Sequence, residues 1–337
     1  MRQGRIGTLT FSSVGLGCNQ LGSKSCDDAT SLRLIAEAVE QGITLFDTSD
    51  EYGRDFSLVG DITGWGRSEE LLGKGLKPHR DEVVLATKFG PCGAIRDGVD
   101  ETGIDQERTR ADARGIRIAV EESLTRLDTD RIDLFQLHFP DPRYPLEETL
   151  TELDSLVREG KVREIGCANF DGDGLREAAA VADGLGVRRF ASAQHHLNLM
   201  QRRQLGDALP ACEELGIGFL PYYPLASGIL TGKYRRGESA PAGSRLAEQA
   251  TDDLRARLLS DRTFDRVEAL TEWSRARGHE LLELAFAWLL GHGAVVSVIA
   301  GASKPEQIAA NRAAGEWVLS PAEVAEVTAL VEGATPS

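Results

Sequence analysis

The residues most able to do chemistry lie near the start of the chain, in Ile43-Thr-Leu-Phe-Asp47-Thr-Ser-Asp-Glu-Tyr52-Gly53. A short apolar run, Ile43 to Phe46, reads as a buried strand ending in Asp47, and Tyr52 follows in a polar loop. A carboxylate at a strand tip with a phenol in the next loop points to proton transfer. A phenol with a pKa near ~10 is a weak acid at neutral pH unless a cation and organised hydrogen bonds assist it. Two more strand-like runs supply candidates. Glu82-Val-Val-Leu-Ala-Thr-Lys88 ends in an ammonium group, and Ile132-Asp-Leu-Phe-Gln-Leu-His138 ends in an imidazole. If these strands are parallel neighbours in a barrel, Asp47, Lys88 and His138 share one face with Tyr52.

The elements that would position them recur along the whole chain. Strands are expected at 14–18, 43–47, 82–88, 132–138, 161–167, 190–194, 217–222 and 295–299. A helical pattern follows each of them, with Asp27 or Asp28 capping the first helix and Gly160 closing the one over 146–159. Residues 305–314 form the last barrel helix. Ser303 with Glu306 has capping-box spacing, as does Ser320 with Glu323 at the start of a C-terminal helix. Strict strand–helix alternation gives an α/β protein, a (β/α)8 TIM barrel, with residues 5–13 as an N-terminal β-hairpin. No interior domain boundary is visible, so 1–337 is expected to be a single domain. Three connections are long, 54–67, 90–113 and 225–260, and all three follow strands, which places them on the catalytic face.

These residues together resemble the aldo-keto reductases. Asp47, Tyr52, Lys88 and His138 match that family's catalytic tetrad in identity and order. The flanking runs Val14-Gly-Leu-Gly17, Pro145-Leu-Glu-Glu-Thr-Leu150, Glu159-Gly-Lys-Val-Arg-Glu-Ile-Gly166 and Gly301-Ala-Ser-Lys-Pro-Glu-Gln307 extend the match over nearly the whole length. The resemblance implies reduction of an aldehyde or ketone, reversible as alcohol oxidation. Tyr52 would be the general acid, with Lys88 lowering its pKa. Asp47 would hold Lys88 and the nicotinamide ribose, and His138 would orient the substrate or share in proton donation.

No side chain can donate a hydride, so a cofactor is required. Gly15-Leu-Gly17 lacks the third glycine of a dinucleotide fingerprint. The resemblance instead implies NADPH (NADP) on the loops after strands 7 and 8. Asn169 and Gln194 would hold the carboxamide, and Tyr222 would stack on the nicotinamide. Lys233 would contact the pyrophosphate, and Pro224 and Leu225 would also be cofactor-binding. Gly301, Ser303, Gln307 and Asn311 would meet the adenosine end, with a 2′-phosphate at the helix N-terminus beside Lys304. Three positions depart from the family pattern: Ala168, Ala310 and Leu197. The largest departure is the insertion 54–67, expected to form a lid or substrate wall beside Tyr52. The same motifs also match the branch resembling the potassium-channel β subunit, a nucleotide-binding regulatory module, and a sugar-processing oxidoreductase of a biosynthetic pathway is a third reading.

Composition narrows the partners. A formal net charge of −15, with 41% hydrophobic and 27% charged residues, argues against nucleic acid and anionic membranes, while the resemblance implies a small-molecule carbonyl substrate. The five cysteines form no C-x-x-C pair and have no zinc spacing, and the N-terminus carries no secretion-signal pattern, so a reduced, cytoplasmic protein without a metal site is expected. Oligomeric state is not readable from the sequence.

Overall fold

The computed structural model describes residues 1–53, 63–96, 99–100, 102, 107–248 and 250–332. Two strands, β1 (Gln3–Ile6) and β2 (Leu9–Ser12), pair antiparallel as a hairpin. Eight strands then form one parallel sheet: β3 (Val14–Gly17), β4 (Leu45–Asp47), β5 (Val84–Phe89), β8 (Ile132–Leu137), β9 (Val162–Ala168), β10 (Ser192–His196), β11 (Gly218–Tyr222) and β12 (Val298–Gly301). The small antiparallel pair β6 (Ile95–Arg96) and β7 (Val99–Asp100) lies in the connection after β5. The sheet closes on itself. Phe219 N donates to Ala294 O at 2.7 Å and Val296 N donates to Phe219 O at 3.1 Å, while Val298–Gly301 pairs with β3.

Helices follow the strands: α1 (Asp28–Glu40), α2 (Arg67–Leu76), α3 (Ala113–Arg126), α4 (Leu146–Arg158), α5 (Gly172–Leu185) and α6 (Ala208–Leu215). Short α7 (Arg245–Glu248) and α8 (Asp252–Leu258) sit in the long connection after β11, ahead of α9 (Asp261–Arg275) and α10 (Leu281–Leu290). α11 (Pro305–Ala314) and α12 (Pro321–Glu332) end the chain.

The core has two parts. The larger lies between the strands' outer faces and the helices, and the smaller joins hairpin residues Ile6, Leu9 and Phe11 to Leu45, Ala86, Leu134 and Leu220 inside the barrel. The hairpin therefore plugs the N-terminal end of the barrel and leaves the C-terminal end for the loops. Helix starts are set by side chains: Asp27 accepts from Thr30 N at 2.8 Å and Asp112 from Gly115 N at 2.7 Å. Asp27→Ala should lower unfolding free energy by about 1 kcal/mol in a urea titration, because Thr30 N would lose that partner.

Three local expectations need correction. The sixth strand begins at Ser192 and runs through His196, two residues later than hydrophobicity suggests. Its polar end is held by ring stacking, His195 on Phe219 and His196 on Tyr222, at centroid separations of 5.3 and 5.5 Å. The eighth strand is Val298–Gly301, because the residues just before it are spent on closing the barrel against Phe219. At α11 the capping partner is Gln307 rather than Glu306: its Oε1 accepts from Ser303 N at 2.7 Å and Lys304 N at 3.2 Å. The Ser320–Glu323 box does form, with Ser320 N donating to Glu323 Oε2 at 2.8 Å and Glu323 N to Ser320 Oγ at 3.3 Å.

Candidate active site

Because the strands are parallel, their C-terminal ends lie together. Asp47 ends β4, Lys88 lies next to the end of β5, and His138 follows β8, its N–H donating to Phe89 O at 2.8 Å. Tyr52 reaches the same place through a tight turn tied to its neighbours. Asp50 N donates to Lys88 O at 3.2 Å, Tyr52 N to Ser49 O at 3.2 Å, and Ser68 N at the start of α2 to Tyr52 O at 3.1 Å.

Lys88 is the hub. Its ammonium donates to Asp47 Oδ2 at 2.8 Å, to Thr48 O at 2.7 Å and to the Tyr52 hydroxyl at 3.4 Å. Lys88 is fully buried and Asp47 only 3% exposed, so the pair stands in a medium where a lone charge would be costly. Asp47 Oδ1 in turn accepts from Gln194 Nε2 at 2.8 Å and Gln136 Nε2 at 3.3 Å, which satisfies its second oxygen. The imidazole of His138 meets the Tyr52 ring edge-on, with centroids 6.1 Å apart.

The Tyr52 phenol does not behave as the sequence suggests. Its pKa is raised well above the ordinary tyrosine value, first by burial, then by the negative charges of Asp47 and Glu51. The net shift is upward although the Lys88 ammonium lies 3.4 Å from the phenol oxygen, because the phenol is desolvated and carboxylates stand beside it. The group therefore holds its proton across neutral pH, which is the state a proton donor needs.

The residues assigned to the cofactor fall into two groups. Asn169, Gln194 and Tyr222 line the barrel mouth: Tyr222 OH donates to Asn169 Oδ1 at 2.9 Å, and Asn169 Nδ2 donates to His138 O at 2.9 Å. Pro224, Leu225 and Lys233 lie on the loop after β11, and Gly301, Ser303, Gln307 and Asn311 lie at the tip of β12 and along α11. Gly301 sits opposite Gly17, and Gly17 opposite Asp47, so the strand tips join the two groups in one row. Asn311 is buried in α11, whereas Ser303 and Gln307 are exposed. Backbone strain concentrates here: Asn169, Tyr223, Ala226 and Ser227 all have positive φ. Gly228 has φ +92°, a conformation that favours glycine, and Lys233 Nζ lies within 2.8 Å of where a Cβ would stand.

A cavity of about 650 Å³ opens beside Asn169 and Tyr222 and runs toward Tyr144, Phe170 and His196. The insertion expected as a lid lies largely outside the described residues, at 54–62. Its described end carries Trp65, whose ring is stacked 4.3 Å under the Arg108 guanidinium from the connection after β5. All five cysteines are free and buried. Among the described residues no group of His, Cys, Asp or Glu could hold a metal ion, and no helix is long and apolar enough to cross a membrane.

Sequence reasoning missed Gln136, Ser49 and Glu51. Gln136 could have been found, because it lies two residues before His138 and strand alternation puts it on the same face. Ser49 and Glu51 lie in a turn with no period to read. Their placement on His138 is visible only in three dimensions, with Ser49 Oγ and Glu51 Oε1 each 3.4 Å from its Nδ1.

A family model described as the aldo/keto reductase family matches residues 13–332. Among curated proteins, the chain is 32% identical to an "Uncharacterized oxidoreductase YrpG" of Bacillus subtilis (strain 168), over 90% of this chain and 87% of that protein. It is 32% identical to "Aldo-keto reductase YhdN" of the same organism, over 96% and 91%. It is also 31% identical to "Probable aldo-keto reductase 1" of Glycine max, over 96% and 87%.

Proposed function

The chain belongs to the aldo/keto reductase family and is an oxidoreductase, and from that premise we propose that it reduces an aldehyde or ketone with NADPH, reversibly, with Tyr52 as the general acid. The observation that supports this most is the chain of contacts Asp47–Lys88–Tyr52, at 2.8 and 3.4 Å, buried at the mouth of the barrel. When bound, the reduced nicotinamide supplies the hydride that goes to the carbonyl carbon. Tyr52 gives its proton to the carbonyl oxygen as negative charge builds there. Lys88, 3.4 Å from the phenol oxygen, stabilises the phenolate that forms. Asp47 keeps Lys88 in place, and His138 faces the same space beside the Tyr52 ring.

The residues present suit a phosphorylated dinucleotide. Asn169 and Gln194 offer amide groups at the mouth, and the half-buried Tyr222 offers a ring face. At the head of α11, Ser303 N, Ser303 Oγ and Lys304 N converge within 3.3 Å on a single oxygen, Gln307 Oε1. Donors gathered on one acceptor can equally serve an anionic oxygen, and the helix N-terminus and the Lys304 ammonium favour negative charge. This supports NADPH over NADH. The barrel would act as one domain over 1–337, and buried free thiols suit a reducing cytoplasm.

A screen of aldehydes, ketones and alcohols, following the absorbance of the reduced cofactor, tests the reading. At least one carbonyl should be consumed at a rate dependent on enzyme, with NADPH preferred over NADH. Tight NADPH binding with no turnover across the panel would favour the nucleotide-binding regulatory module instead.

A further inference from the structure

The turn between Asp47 and Tyr52 is unusually acidic for a buried segment. Ser49 is fully buried, Asp50 is 1% exposed and Glu51 is 3% exposed. The two acids have different surroundings. Asp50 accepts from Ser49 Oγ at 3.2 Å through one oxygen, while its other oxygen has no partner. Its pKa is raised well above the carboxylate range by burial and by Glu69 and Glu51, against which Arg126 and Arg108 act only in part. Burial and the neighbouring carboxylates thus work against the charged form of Asp50, which packs into the wall. Glu51 instead reaches the proton-handling groups. Its Oε1 lies 3.4 Å from His138 Nδ1, with both side chains buried, and its charge is among those that raise the proton affinity of Tyr52.

We propose that Glu51 is a positioning residue that sets the proton affinity of the imidazole–phenol pair: it fixes His138 through Nδ1 and keeps both acids loaded. A carboxylate 3.4 Å from Nδ1 favours the tautomer with its proton on Nδ1 and the imidazolium form. That leaves Nε2 as the nitrogen that exchanges protons with the reaction. The same negative charge opposes ionisation of Tyr52. In reduction, Tyr52 loses its proton to the carbonyl oxygen and regains one from solvent, so no redox partner beyond the dinucleotide is needed. Among the described residues, the other charged or titratable groups acting on this pair include Asp47 from β4, Lys88 from β5, and Tyr222 and Tyr223 from the end of β11 and its loop. Asp47 and Lys88 are paired with each other. Ser49 Oγ, also 3.4 Å from Nδ1, completes the turn's hold on the ring.

The inference rests on the reductase reading, and its test separates the two. The full-length protein is compared with Glu51→Gln, which keeps shape and removes charge, and with Glu51→Asp, which keeps charge and shortens reach. The His138 signal is identified by its loss in His138→Gln and titrated by NMR, a measurement that needs no turnover. Glu51→Gln should move the His138 midpoint to lower pH by about one pH unit or more. The alkaline limb of kcat/KM for reduction and the acid limb for oxidation should both move the same way. The sign follows from the charge: removing a negative neighbour makes each acid give up its proton more readily. Glu51→Asp should keep the limbs near wild type even where it lowers their height. If Glu51→Gln leaves the His138 midpoint unchanged and lowers both directions by one common factor, Glu51 is a strut and the inference is wrong. If the wild type turns over no carbonyl, the reductase reading fails, while the NMR titration still decides the Glu51–His138 pairing.

Discussion

Tyr52→Phe should reduce turnover by about 10²–10⁴-fold, the range that one general acid contributes, while reduced dinucleotide still binds close to wild-type strength. The substitution removes one oxygen. The ring keeps its edge-on packing against His138, and Lys88 keeps its bonds to Asp47 and to Thr48 O. What is lost is the proton donor 3.4 Å from the ammonium. Dinucleotide affinity by fluorescence titration and the single-turnover rate with the best substrate of the screen separate the two effects. Wild-type rates in the variant would remove Tyr52 from the acid role.

Lys88→Met should be the most damaging change for stability. Among the described residues it leaves the buried Asp47 carboxylate with the Gln194 and Gln136 amides as side-chain donors. Breaking a buried ion pair by deleting one partner costs about 3–5 kcal/mol, because the remaining charge is uncompensated. Activity should fall as well, since the phenolate formed in the reaction loses its cation. The double variant Asp47→Asn with Lys88→Met should recover most of the stability and none of the activity, because no lone charge remains but the chemistry is gone. Urea unfolding of the two singles and the double measures the coupling. Additive losses would show that the pair is not the unit described here.

The fold was largely legible because period and punctuation agree along most of the chain. Runs such as 43–46 and 132–137 are mostly apolar and buried, as strands inside a parallel sheet tend to be. Legibility ended where polar residues complete a strand. His195 and His196 belong to β10 because rings from β11 stack on them, a contact hydrophobicity cannot report. The tetrad was legible because Asp47, Lys88 and His138 each sit at or beside a strand tip, with Tyr52 in the turn after one of them, and parallel strands bring tips together whatever their separation in sequence. Its electrostatics were not. The raised proton affinity of Tyr52 depends on burial and on Glu51, and a spacing pattern contains neither. The helix cap at α11 was misassigned by one residue: the N-cap is Lys304 rather than Ser303, which puts Gln307 rather than Glu306 at the third helical position.

The most direct measurement follows isotope from cofactor to product. The protein is mixed with a reducible carbonyl and with NADPH deuterated at nicotinamide C4, each stereospecific label in turn. The resulting alcohol should carry one deuterium on its carbinol carbon from one label and none from the other. An alcohol without deuterium from either label, or no alcohol while cofactor disappears, would show that no hydride crosses from dinucleotide to carbonyl at this site.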